Sequence, residues 1–318
     1  MLQYRNTIKK VCVGRLFLAT CILLLTCTSA RAESADRQVW LISTRAAPRS
    51  SAPDPAHARI GFWQLKQNAW APSDREAFHA SGRADVPTVF LVHGNRAGAN
   101  DAVRIGSSFR QYLVRSRRNQ PFRLVIWSWP SEQVCGRVRA DVQLKAHYSD
   151  IQAVYLAECL REMPSDQPVT FVGYSFGARV ITGALELVGG GRVGRYRLPE
   201  SPAPHETPWQ AVLIAAALDA HWLSPGARNG RAVGQLDRML IVANPADRVM
   251  RFYPRMYGRR GPAALGYLGS GFRLAPADWG KVRRLDVSCQ VGKEHGWWSY
   301  WRSASLRAAL AKYALDTP

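Results

Sequence analysis

Pro168-Val169-Thr170-Phe171-Val172-Gly173-Tyr174-Ser175-Phe176-Gly177-Ala178-Arg179-Val180-Ile181 is the stretch on which the fold turns. Val169, Phe171 and Val172 form a short apolar run of β-branched and aromatic residues, as a buried parallel strand requires. Val180, Ile181, Ala184, Leu185 and Val188 then recur at helical spacing until Gly189-Gly190-Gly191 stops them. Between strand and helix lies Gly173-x-Ser175-x-Gly177. A serine at such a corner is forced into a strained backbone conformation, and the two glycines remove side chains that would strike the adjoining strand and helix. The Ser175 hydroxyl is therefore expected to stand exposed above the sheet edge. The pentapeptide alone arises by chance in a chain of this length with a probability of roughly 0.1. The strand before it and the helix after it give it weight.

Working outward, strands and helices alternate, which is the α/β pattern of a mostly parallel sheet flanked by helices. Residues 39–44 and 60–65 read as an antiparallel edge, separated by a loop rich in Pro, Ala and Ser. Residues 87–92 form the next strand, ending in His93-Gly94-Asn95-Arg96-Ala97-Gly98, after which Asn100 or Asp101 caps a helix. A short strand at 124–127 closes with Ser128-Trp129-Pro130-Ser131, and a long helix follows over 138–163. Beyond the quoted stretch come a polar loop at 192–208, strands at 211–217, 239–243 and 282–287, and a closing helix at 303–313. No internal repeat is evident, and residues 33–318 read as one domain without a large cap.

The first 32 residues read differently. Lys9, Lys10 and Arg15 precede an apolar run at 16–25, and Ala30-Arg31-Ala32 has the small-x-small form of a signal-peptidase site, so export with cleavage after Ala32 is expected, to the periplasm or medium. The alternative is a retained anchor, against which the run falls short of the roughly 20 residues a span needs. Cys27 follows Leu25-Thr26, a poor match to a lipidation site. Loss of the leader removes Cys12, Cys21 and Cys27 and leaves Cys135, Cys159 and Cys289, enough for one internal bridge whose pairing stays open. Their separations fit no zinc pattern, and His-Glu-x-x-His does not occur, so neither metal nor cofactor is expected. The net charge is +20, carried by 43 Lys and Arg against 23 acids, and only five of the bases lie in the leader. The bases are scattered and accompany no nucleic-acid motif, so nucleic acid is not an expected partner. A solvated basic surface is the simplest reading, and attraction to anionic envelope polymers or lipid head groups is the alternative.

Ser175 requires a base, and that base requires a carboxylate to hold its tautomer and steady its positive charge. Of seven histidines, His295 alone sits just after the last strand, where a parallel sheet delivers its C-terminal edge beside the nucleophile turn; His221 is the competitor. Asp247 follows the strand at 239–243 in a loop stiffened by Pro245. Asp219 is the second candidate and Asp286 the third. An oxyanion forming at Ser175 would take the backbone N–H of Phe176 and a second from Asn95 or Arg96, with His93 ordering that loop.

Val89-Phe90-Leu91-Val92-His93-Gly94-Asn95, the Gly173–Gly177 turn, Asp247 and His295 together resemble the α/β-hydrolase superfamily. More narrowly, Ser128-Trp129-Pro130-Ser131 followed by Tyr148 and Asp150 resembles a bacterial branch of poorly defined function, in which the turn usually reads His-Ser-Met-Gly; here Tyr174 and Phe176 take the variable positions. The resemblance implies the superfamily's fold and ester hydrolysis through an acyl-enzyme on a small-molecule or lipid ester. Acyl transfer, or envelope binding on a hydrolase scaffold, are the alternatives. Neither the 192–208 loop nor the 251–279 excursion shows a sustained amphipathic period, so an open site without a helical lid is expected. Phe252, Tyr253, Tyr257 and Tyr267 would wall it, with Arg255, Arg259 and Arg260 making its mouth positive, or else these aromatics simply anchor the long loop to the body.

Overall fold

Every residue of two strands, Thr88–Val92 and Val169–Tyr174, is buried, and their side chains alternate between two hydrophobic cores. Phe90, Val92 and Phe171 enter one core, while Val89, Leu91 and Val172 enter the other, as the two-residue period of a strand dictates. A one-residue slip would exchange these sets, so the register of the sheet centre is strongly held.

The computed structural model describes residues 37–49, 53–116, 120–199, 205–258 and 261–315. The leader at 1–32, the junction at Glu33, and Arg259 and Arg260 lie outside the described residues. Of two compact units, Met1–Gln38 is described only at its last two residues, and Val39–Pro318 contains the site. No helix among the described residues is long and apolar enough to cross a membrane.

In chain order the elements are β1 (Arg37–Ser43), β2 (Gly61–Lys66), β3 (Ala69–Ser73), α1 (Arg75–Ala80), β4 (Thr88–Val92), α2 (Ala99–Ser116), β5 (Phe122–Ser128), α3 (Val138–Arg161), β6 (Val169–Tyr174), α4 (Phe176–Val188), β7 (Trp209–Ile214), β8 (Arg238–Ala243), α5 (Arg248–Tyr257), α6 (Leu265–Leu268), β9 (Val282–Asp286), α7 (Ser288–Val291), α8 (Trp297–Trp301) and α9 (Ala304–Leu315). The sheet runs β3-β2-β1-β5-β4-β6-β7-β8-β9. β1, β2 and β3 pair antiparallel, whereas β4 with β5 and with β6, and β6 through β9, pair in parallel. Helices α3 and α4 cover one face and α2 and α9 the other, and α4 is buried along its whole length. This is the α/β-hydrolase fold, without a large cap domain among the described residues. Parallel pairing brings the C-terminal ends of β4, β6, β8 and β9 to one edge, so the segments after Val92, Tyr174, Ala243 and Asp286 are neighbours.

Three expectations change. The edge gains β3, turned back from β2 through Gln67 and Asn68, both at positive φ, and then α1, capped by Asp74. A Gln-Asn turn is a weaker hairpin signal than Asn-Gly, which is why it escapes a reading by turn chemistry. Helix α2 begins at Ala99, so Asp101 sits in its first turn, where its carboxylate accepts the Gly98 N–H at 3.0 Å. The largest change concerns the excursion at 251–279. Its start belongs to an amphipathic helix, α5, capped by Asp247 through the N–H groups of Val249 and Met250, and Met250 and Tyr253 anchor its inner side. Pro254 inside the helix hides it from a reading that treats proline as a breaker.

Candidate active site

The turn between β6 and α4 is strained as its glycines require. Ser175 has φ 53° and ψ −117°, and the strain is held by hydrogen bonds from Ser175 N–H to Ile214 O at 2.9 Å and from the Ala178 and Ala217 N–H groups to Ser175 O at 3.1 and 3.2 Å. A Cβ on Gly177 would stand 2.0 Å from the Val92 carbonyl oxygen, and one on Gly94 would stand 2.9 Å from Ser175 Cβ. The start of α4 thus lies tight against the end of β4, and the loop after β4 presses on the serine. Ser175 is consequently only 4% exposed, where an exposed residue was expected.

The Ser175 hydroxyl lies 3.2 Å from His295 Nε2, and His295 Nδ1 lies 2.7 Å from Asp247 Oδ2. A carboxylate only accepts, so Nδ1 carries the hydrogen and Nε2 keeps its lone pair toward the serine. Asp247 is fully buried, and its charge is met on both oxygens. Oδ1 accepts Val249 N–H at 2.9 Å and Met250 N–H at 3.0 Å, while Oδ2 also accepts the Tyr300 hydroxyl at 2.7 Å. The first turn of α5 therefore serves the carboxylate, and the carboxylate caps the helix.

The competing residues are engaged elsewhere. Asp219 accepts the Tyr253 hydroxyl at 2.8 Å, Asp286 accepts the Ser288 N–H at 2.9 Å, and His221 is exposed. On the opposite side, the Arg96 N–H is spent on Ser131 O at 2.7 Å, with Arg96 at φ 59°. The N–H groups of Asn95 and Phe176 make no hydrogen bond among the described residues.

Four residues matter that the sequence did not single out for this site. Tyr174 donates its hydroxyl to the backbone oxygen of His295 and packs its ring 5.6 Å from the imidazole. Tyr300 closes the carboxylate shell. Burial, followed by the nearby Asp247 charge, pushes both phenols up, so both remain donors. Trp129 and Ser131 explain the Ser-Trp-Pro-Ser stretch. Trp129 stacks on His93 at 5.6 Å with its rings 8° apart, gives its N–H to His93 Nε2 at 3.2 Å and its indole N–H to His93 O at 2.8 Å. Ser131 Oγ accepts the Ala97 N–H at 3.1 Å and donates to Ala97 O at 3.1 Å. His93 gives its Nδ1–H to Gly94 O at 2.9 Å, and burial lowers its pKa to about 3, so it is a neutral brace. Asp150 likewise holds Arg179 in the first turns of α4 by two bonds of 3.0 Å.

Of the expected wall, Tyr253 is buried against Asp219, Tyr257 takes a 3.4 Å bond from Arg179, and Phe252 faces solvent. Cys135, Cys159 and Cys289 are unpaired, and burial pushes the Cys159 thiol up to about 12. Among the described residues no three His, Cys, Asp or Glu side chains gather as a metal site.

No known family profile and no curated protein match the sequence. Among solved structures the chain is similar to esterase B from Lactobacillus rhamnosis inhibited by a C6-C4 SN3 compound, at 12% identity and TM-score 0.33, with 94% of this chain and 97% of that one covered. The same esterase inhibited as a C4-C4 SN3 tributyrin phosphonate gives 12% identity and TM-score 0.33 over 94% and 96%. Thermogutta terrifontis esterase 2 phosphoramylated by tabun gives 15% identity and TM-score 0.30 over 79% and 85%. Overlaps this loose carry no argument about chemistry, and it is the strand order and the strained turn of this chain itself that make its fold an α/β-hydrolase fold.

Proposed function

We propose that this protein hydrolyses carboxylic esters through an acyl-enzyme. The observation that carries the reading is the unbroken hydrogen-bonded row from Ser175 through His295 to the buried Asp247. In this mechanism Ser175 Oγ attacks the ester carbonyl while its proton passes to His295 Nε2, and Asp247 stabilises the resulting imidazolium. The negative oxygen of the tetrahedral intermediate is met by the N–H groups of Phe176 and Asn95, which make no hydrogen bond among the described residues. His295 then protonates the leaving alcohol. A water molecule repeats the sequence in reverse to release the acid and restore Ser175. The cycle needs no cofactor. We further infer that the chain acts outside the cytoplasm, since the N-terminal pattern is that of a cleaved leader.

The deciding experiment is labelling of the folded, purified protein with a fluorophosphonate. The adduct should map to the peptide containing Ser175 and vanish in Ser175→Ala. Folded protein that takes no label would leave a binding protein on a hydrolase scaffold.

A further inference from the structure

Helix α5 carries an outer face that the rest of the described chain leaves bare. Arg248, Arg251 and Arg255 recur at helical spacing and all three are exposed. Beside them Val249 and Phe252 are 51% and 47% exposed. The two stripes touch, because the Arg255 guanidinium lies 4.7 Å over the Phe252 ring. Among the described residues no carboxylate pairs with any of the three arginines. The helix is pinned at both ends: Asp247 caps its start, and the Met256 carbonyl near its finish accepts Arg139 Nε at 3.3 Å and Gln143 Nε2 at 2.8 Å. Those bonds set it beside the start of α3, where Val134 and Val138 are also more than half exposed. The result is a fixed surface of bare apolar side chains fringed by unpaired guanidinium groups, on the helix that begins at Asp247.

We propose that this face docks on an anionic lipid bilayer surface and so sets the Ser175 site at the interface. The arginines supply charge complementarity, in keeping with the excess of Lys and Arg over Asp and Glu that remains when the leader's five bases are set aside. The apolar stripe selects a bilayer over a soluble polyanion, since Val249 and Phe252 leave water only if the partner offers a hydrocarbon boundary. Docking of this kind requires no movement of α5.

Sedimentation with vesicles of phosphatidylcholine alone, or of an equimolar mixture with phosphatidylglycerol, tests the proposal; residues before Arg37 are common to every variant, so the comparison among variants, rather than that between vesicles, isolates the α5 face. The full chain should bind the mixed vesicles far more tightly than the neutral ones. Each arginine near such a surface contributes about fivefold in affinity, so Arg251→Gln with Arg255→Gln should lose roughly 25-fold. Phe252→Ser should lose about tenfold and keep that loss at high salt. The same charge loss placed beyond the far end of α4, Arg192→Gln with Arg195→Gln, should change binding little. Equal affinity for both vesicles, or an equal loss in the distant pair, overturns the proposal. So does a Phe252→Ser protein that binds like wild type, which would indicate a polyanion instead. Ser175→Ala should bind vesicles unchanged, and the wild-type protein should hydrolyse a soluble nitrophenyl ester with no vesicles present. Vesicle binding without any hydrolysis would therefore sink the esterase reading and leave the docking intact.

Discussion

Tyr300 and His295 direct their donors at one atom, since Asp247 Oδ2 accepts the tyrosine hydroxyl and the imidazole N–H, each at 2.7 Å. With Oδ1 already occupied by two backbone N–H groups, Tyr300 determines how much of the carboxylate charge faces the histidine. Its ring is fully buried, so Tyr300→Phe removes the hydroxyl and keeps the packing. A carboxylate with one donor fewer stabilises the imidazolium more strongly. The acid limb of the pH–rate profile should therefore move to higher pH, and stability should fall by about 1.5–3 kcal/mol. A variant profile superimposable on that of wild type would show that the hydroxyl is structural only.

The two aspartates that follow neighbouring strands make a direct contrast. Asp247→Asn should lower turnover by about 10⁴, because an amide facing Nδ1 favours the wrong tautomer. Asp219→Asn removes only the acceptor of Tyr253 and should leave turnover within a few fold. Steady-state rates on a nitrophenyl ester compare them, and the reverse ranking would refute the assignment.

His93 predicts a pH dependence of stability. Its folded pKa is lowered to about 3 by burial, against an ordinary value of 6.5. Above 6.5 both states are neutral and its stabilising contribution is complete. As pH falls from 6.5 toward 3 only the unfolded chain takes up the proton, so stability drops by as much as about 1.4 kcal/mol per pH unit. His93→Gln should lack this component, so urea-unfolding curves of variant and wild type should converge as the solution is acidified. Curves that stay parallel would contradict it.

Gly177→Ala should cost about 3 kcal/mol, because the added Cβ meets the Val92 carbonyl, which is backbone of a central strand and cannot yield. Gly136→Ala, where nothing lies within 4 Å, should stay within about 0.5 kcal/mol. Thermal unfolding of both variants is the measurement, and similar melting temperatures would mean that the turn relaxes.

The leader predicts its own product. N-terminal sequencing of exported protein should read Glu33-Ser34-Ala35. Recovery of the uncleaved chain with membranes would indicate a retained anchor.

What the sequence determines by itself is what short-range rules govern. The strand, turn and helix around Ser175 follow from apolar period and glycine placement, and β4, β5, β7 and β8 each announce themselves as short apolar runs. His295 stands out because it alone among the histidines follows the last strand of a parallel sheet. Only the tertiary structure decides among residues that are locally equivalent. Asp219 and Asp247 both close neighbouring strands, and they differ because Tyr253 captures the first while α8 brings Tyr300 to the second. Asn95 and Arg96 are adjacent donors, and they differ because Ser131, from the far side of β5, takes the N–H of Arg96. Tyr174 and Tyr300 read in the sequence like any other core aromatics. Their hydroxyls acquire a purpose from partners 121 and 53 residues away. Hydrogen bonds across such separations exist only once the sheet has aligned its C-terminal ends, and no local pattern of residues encodes them.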